Sequence, residues 1–257
     1  MGASSSGNSV SANLNIKPLK EGEVTIVVTH PRCLYDTEIK VKVYSETALV
    51  NPITLITDDS VIKMLNGSTK EITARVTHAT GQMENNIQWS SDNTSVITVS
   101  PSTGKTTQIN AIGSGQNQTY ITSHLDEALS DKKILILTAD TNEELETMKG
   151  IYTDSSYLRI ASDEVKEIFV ESFGLSLTDT ISWSTSNSSV CTVSAISSST
   201  NKNTARVTGI SEGKATITAS LSNCKDVVFE VTVLKKGESS EIFDEDAGYL
   251  TTMQNAI

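Results

Sequence analysis

Trp183-Ser184-Thr185-Ser186-Asn187-Ser188-Ser189-Val190-Cys191-Thr192-Val193-Ser194 decides how this chain is read. The same pattern stands 94 residues earlier as Trp89-Ser90-Ser91-Asp92-Asn93-Thr94-Ser95-Val96-Ile97-Thr98-Val99-Ser100. Solenoid units repeat at roughly 20 to 50 residues, whereas a β-sandwich takes about 100, so the spacing points to a small domain copied in tandem.

Working outward, Leu55 to Ile72 matches Ile151 to Ile168, with Ser60 against Ser156 and Lys70-Glu71-Ile72 against Lys166-Glu167-Ile168. Downstream, Ile109 to Gly115 faces Val207 to Gly213, and Ile121 to Leu125 faces Ile217 to Leu221. A third copy opens the chain: Ile16 to Ile26 matches Val207 to Ile217 at an offset of 191, and the match continues to Cys33 against Cys224. This copy has no tryptophan and no upstream strands. It is expected to be a C-terminal half, whose remaining strands lie upstream or come from a partner. The expected organisation is a half domain at 1–47, a domain at 48–140, a linker at 141–150, a domain at 151–235, and an acidic linker and tail at 236–257.

Each copy reads as short strands punctuated by turns. In the last, strands are expected over Ile151 to Leu158, Glu167 to Glu171, Thr180 to Ser184, Val190 to Ser194, Ala205 to Gly209, Lys214 to Leu221 and Val227 to Val233. Ala215 to Ala219 and Phe229 to Val233 alternate apolar with polar residues, so one face packs inward and the other meets water. Two such sheets hide each other's apolar faces, and Trp89 and Trp183 are the structural core residues expected to anchor them. The fold class is all-β, two complete sandwiches and a half. Residues 141–150 read as an exposed linker with room for one helical turn, and Tyr249, Leu250, Met253 and Ile257 are spaced as a short amphipathic helix or a frayed tail.

Composition narrows the function. The net charge of −11 gives no basic patch for tracking phosphates, so no nucleic-acid partner is expected. The longest apolar run, Ile134-Leu135-Ile136-Leu137, is strand-sized, so no membrane insertion is expected of this segment, and Met1 to Ser11 lacks the features of a signal peptide. His30, His78 and His124 stand at non-equivalent positions of the repeat, and no Gly-x-Ser-x-Gly or Ser-His-Asp arrangement accompanies the many serines, so no catalytic residues are assigned. Asp58-Asp59 with Asp154, and the run Glu241, Asp244, Glu245, Asp246, read either as cation-binding edges or as solvated turns. No metal or cofactor is assigned. The sequons at Asn66, Asn93, Asn117 and Asn187 are read as turn residues.

The pattern Trp-Ser-Ser-x-Asn-x-Ser-Val-x-Thr-Val-Ser, with Val207-Thr208-Gly209-Ile210 and Gly213-Lys214-Ala215-Thr216-Ile217-Thr218-Ala219 behind it, resembles the bacterial Ig-like domain group 2 of invasin- and intimin-type surface proteins. The middle copy departs from it where Gly113 to Gln118 lengthens a hairpin. The resemblance implies immunoglobulin-like sandwiches serving as spacer or adhesive modules on bacterial surfaces, in secreted carbohydrate-active proteins or on phage particles, with no catalytic residues. It implies an extracellular or virion location. Expected partners are neighbouring domains of a longer chain or other subunits, with surface glycans as candidate ligands. The first function read from it is a structural and adhesive module extending outward; a phage capsid or tail decoration and an ancillary part of a polysaccharide-degrading enzyme are the alternatives. Against this repeat, Cys191 and Cys224 are a candidate disulfide, with Cys33 left unpaired; a small buried residue in place of the family's common alanine is the other reading of Cys191.

Overall fold

The computed structural model describes residues 16–17, 19–20, 22–29, 37–43, 49–79, 81–196, 202–238, 240 and 242–243. Cys33, His30, Glu241 and the acidic residues and apolar positions of 244–257 lie outside them. The chain divides into two units, Met1–Glu46 and Thr47–Ile257.

In the first unit, β1 (Gly22–Val28) and β2 (Thr37–Val43) form an antiparallel hairpin with Gly22 opposite Val43 and Ile26 opposite Ile39. The second unit opens with β3 (Leu49–Val50) and continues with β4 (Leu55–Thr57), β5 (Val61–Leu65), β6 (Thr69–Val76), β7 (Gln88–Ser91) and β8 (Ile97–Ser100). Then follow β9 (Thr106–Ala111), β10 (Asn117–His124), β11 (Lys132–Ala139) and a short helix α1 (Asn142–Thr147). The last repeat holds β12 (Gly150–Tyr152), β13 (Tyr157–Ala161), β14 (Val165–Phe173), β15 (Ser182–Thr185), β16 (Cys191–Ile196), β17 (Lys202–Gly209), β18 (Gly213–Ser220) and β19 (Val227–Leu234), before β20 (Ile242–Phe243).

These strands form two sandwiches of the same design. The first packs sheet β5-β11-β10-β7 on sheet β4-β6-β9-β8; the second packs β13-β19-β18-β15 on β12-β14-β17-β16. The fold is all-β and immunoglobulin-like, with one departure from the expected strand count. The stretch Ile151 to Leu158 is two strands, not one: β12 pairs with β14 in one sheet and β13 pairs in parallel with β19 in the other. The polar step Thr153 to Ser156 carries the chain across, and Ser156 O, like Ser60 O in the first sandwich, accepts a hydrogen bond from the last strand.

The hairpin of the first unit repeats β18–β19 residue for residue. Gly213 faces Val233 and Ile217 faces Phe229 in the same register, and Gly22 and Gly213 share a positive φ, 144° and 154°, that side-chain-bearing residues rarely adopt.

The tryptophan motif has a local physical explanation. After each tryptophan strand, an asparagine side chain accepts from the backbone two residues on: Ser95 N–H to Asn93 Oδ1 at 3.1 Å, Ser189 N–H to Asn187 Oδ1 at 3.0 Å. The turn then drives Val96 and Val190 into the cores, and their carbonyls accept from Ile112 and Ile210, tying the motif to the next hairpin. Trp89 is 3% exposed and donates its indole N–H to Gly104 O at 2.7 Å. Trp183 is only half-buried, packed on Phe229 with ring centroids 6.0 Å apart. Around them, Ile62, Ile72, Ile97, Ile121, Ile134 and Ile136 fill the first core; Ile160, Val170, Ile217, Phe229 and Val231 fill the second. Each such side chain contributes about 1.5 to 3 kcal/mol of burial.

Candidate functional site

The most elaborated feature of the described residues is the joint between the sandwiches. Residues 141–150, expected as an exposed linker, are instead buried in part, and α1 explains it. Thr141 Oγ1 accepts from Glu144 N–H and Glu144 Oε2 accepts from Thr141 N–H, each at 3.2 Å, a capping box that fixes the helix start. One turn on, Leu145 and Met148 point back onto the outer face of β11 and β10 and are 6% and 7% exposed.

There they meet Leu135, Leu137, Ala139 and Tyr120, and Tyr152 and Phe173 of the second sandwich pack against the same cluster. The run Ile134-Leu135-Ile136-Leu137 fails to alternate for this reason. Ile134 and Ile136 face the sandwich interior while Leu135 and Leu137 face the joint, so β11 is buried on both sides. Gly150 lets the crossing close up, since a Cβ there would stand 2.6 Å from Phe173 Cζ and the ring would have to shift.

Polar contacts fix the orientation. Gln116 Nε2, in the lengthened hairpin, donates to Glu144 O at 2.8 Å and Thr147 Oγ1 at 3.1 Å. Gln118 donates to Lys149 O at 2.8 Å and accepts from Lys225 N–H at 3.0 Å. Lys132 Nζ donates to Asp154 O at 2.8 Å, Ser60 Oγ donates to Asp154 Oδ1, and Lys149 pairs with Asp179 at 2.5 Å. The Lys149 ammonium, with the Ser176 N–H, holds the Asp179 carboxyl down at about 2.

A cleft of about 260 Å³ opens at the joint, lined by Tyr120, Lys132, Tyr152, Asp154 and Asp226 among others. Burial pushes the Tyr120 phenol far up; the Glu171 carboxylate beside Tyr152 raises its phenol to about 12. Both phenols remain protonated donors at neutral pH. Burial lowers the Lys132 ammonium, but its protons are engaged with Asp154 and Ser60. The cleft is built of groups that hold two domains together.

The candidate residues read from the sequence do not converge here. Asp58 pairs with Arg75, Asp59 with Lys70 at 2.8 Å, and Asp154 with Ser60 and Lys132, so each carboxylate is occupied at the surface or joint. Among the described residues no group of three or more His, Cys, Asp or Glu is placed to hold a metal ion. His78 lies against Pro52 O at 3.3 Å, and His124 bridges Asp131 at 2.6 Å and Asp126 at 3.0 Å. Asn66 and Asn117 hold turns through Gly115 O.

The candidate disulfide is corrected. Cys191 and Cys224 are both free thiols, Cys191 buried 3.5 Å from Thr185 Oγ1 and Cys224 half-buried, its thiol 3.4 Å from Lys149 O. Cys191 follows Val190, which packs on Gly213 at one end of β18, whereas Cys224 sits in the turn beyond Ser220 at the other. Seven strand steps separate those ends, about 23 Å, and a disulfide needs Cα atoms within about 7 Å. Burial raises the Cys224 thiol.

The fold and joint define a tandem of immunoglobulin-like sandwiches. Residues 170–237 match the family model of the bacterial Ig-like domain (group 2). No curated protein matches the chain. Solved structures similar to this chain include domains 4 and 5 of the S-layer protein SbsC, 19% identical over 73% of this chain and 100% of that one with a TM-score of 0.28. The D0-D1 domain of intimin is 13% identical over 68% of this chain and 96% of its own, with a TM-score of 0.42. Against SbsC domains 1–6, at 18% identity and a TM-score of 0.31, the match covers 85% of this chain and about a third, 33%, of that structure. No helix among the described residues is long and apolar enough to cross a membrane.

Proposed function

We propose that the chain is a non-enzymatic structural module of an extracellular surface protein, holding immunoglobulin-like domains in a set arrangement so that their loops meet other proteins or glycans. The observation that carries this reading is the joint: Leu135, Leu137, Gln116 and α1, where the first repeat differs from the second, lock one sandwich to the next. The reading includes the β1–β2 hairpin as the last hairpin of a further sandwich, completed by strands of a neighbouring domain or subunit; its register match to β18–β19 supports this. Antibodies against the two sandwiches should label intact producing cells, and labelling only after permeabilisation overturns the surface reading. Stoichiometric labelling of virus particles instead favours the particle-decoration alternative, and binding to a glycan array tests adhesion.

A further inference from the structure

We propose that the two sandwiches form a clasped excursion: the chain enters the first and leaves the second at one point, held by β3 and β20. Leu49 pairs with Ile242 and Val50 with Phe243 in a parallel ladder. β3 precedes the first strand of the first sandwich, and β20 follows the last strand of the second. Paired strands lie about 4.8 Å apart. Domains strung end to end would instead separate these points by two sandwich lengths, and an eight-residue strand such as β10 or β19 alone spans about 26 Å.

Two features bring the ends together. At the joint, the second sandwich does not continue from the strand ends of the first; β12, the end of β14 and the β18–β19 turn sit against the outer face of its sheet, through Tyr152 and Phe173 in the cluster of Leu135 and through Gln118 on Lys225. Beyond β19 the chain is then strapped back along the second sandwich. Lys235 reaches Glu212 at 3.8 Å, Lys236 pairs with Asp163 at 2.8 Å, and buried Ser240 accepts from Lys166 Nζ at 3.3 Å. A two-residue ladder is weak in isolation, but the joint and strap make its closure intramolecular, which raises the effective concentration of its strands.

The parallel sense matters. Chain leaving along β20 runs in the same direction as chain arriving along β3, so the sandwiches hang to the side of a through-running path and add almost no length to it. Tension along that path loads the ladder before either core. Opening it releases two folded sandwiches as slack.

Force spectroscopy on the full chain, with handles at both ends, tests this against Ile242→Pro, which places a proline in the two-residue strand β20. The expected result is an early low-force lengthening in the parent that is absent in the variant, with later domain-unfolding steps unchanged. Parent traces without the early step, or identical traces from both proteins, overturn the proposal. Amide exchange on the unlabelled chain gives a second readout. Exchange in the peptide containing Leu49 and Val50 should quicken by about tenfold in Ile242→Pro, and equal rates overturn the ladder as the clasp.

Discussion

The last strands of the two sandwiches occupy the same place in the same fold and carry opposite outer faces. In β11 the residues pointing away from the core are Leu135 and Leu137; at the matching register positions β19 has Glu230 and Thr232. The inner faces agree, Ile134 and Ile136 against Phe229 and Val231, because both must fill a sandwich. What differs is what lies outside: α1 and the second sandwich against β11 and, among the described residues, no such cluster against β19. Strand patterning thus records two environments at once, and comparison of repeats separates them. The β9–β10 hairpin shows the same thing. Five residues, Ile112 to Gln116, connect its strands, whereas three, Ile210 to Glu212, connect β17 to β18, and the longer hairpin supplies the Gln116 that grips α1.

The sharpest way to break this comparison is to exchange the faces. Leu135→Glu places the β19 residue in a fully buried apolar cluster. It should destabilise the chain by about 3 to 5 kcal/mol and split unfolding into two calorimetric transitions as the joint opens. The reverse change, Glu230→Leu, should alter stability by less than about 0.5 kcal/mol, since that face is exposed. Equal losses from both would show that the outer faces do not differ in environment.

The tryptophans come next. Trp89→Ala removes a buried ring and its bond to Gly104, and should lower stability by about 3 to 5 kcal/mol; Trp183→Ala should cost clearly less, because the ring is half-exposed. Denaturant unfolding of the two variants measures the difference. The sequence marks both residues identically. Their burial depends on how each sandwich closes around the ring, which a repeat motif cannot express.

Much of the fold was legible for a physical reason. Period-two alternation, the asparagine turn after each tryptophan and the glycine at each hairpin are local devices, and local devices appear in local sequence. The joint was harder to see. Residues 141–150 are polar and acidic by composition, and within them two signals point elsewhere: the spacing Thr141-x-x-Glu144, which is a capping box, and the apolar pair Leu145 and Met148. The run at 134–137 is a further signal, since a strand covered on one face alone alternates and this one does not. The cysteine pairing failed because the distance between strand ends depends on topology, and repeat alignment gives only the order of residues.

A smaller effect contrasts the two interiors. Thr119 and Thr138 are fully buried in the first sandwich, and among the described residues their hydroxyls have no hydrogen-bond partner; the matching positions of the second are Ala215 and Val233. Thr138→Val imports the second sandwich's solution and removes a desolvated hydroxyl at nearly constant volume. It should stabilise the first sandwich by about 1 kcal/mol, read as a higher denaturation midpoint at unchanged slope. Destabilisation would mean that the hydroxyl has a partner, such as an ordered water.

The smallest expected effect lies in the turns that follow β10 and β18. His124 closes the first through Asp131 and Asp126, and Ser220 stands at the matching position of the second. The hydrogen bond to Asp131, then that to Asp126, raises the imidazole above its usual 6.5. A group raised in the folded state stabilises it fully below the unfolded value and loses that contribution as pH rises through the folded one. The first sandwich should therefore be slightly more stable at pH 5.5 than at pH 8, by a few tenths of a kcal/mol given the exposure of the ring. His124→Ser, which copies the second repeat, should abolish that difference without moving stability at pH 8. Proton NMR of the parent should show the imidazole titrating above 6.5, and a titration at or below that value would remove the contrast between the two turns.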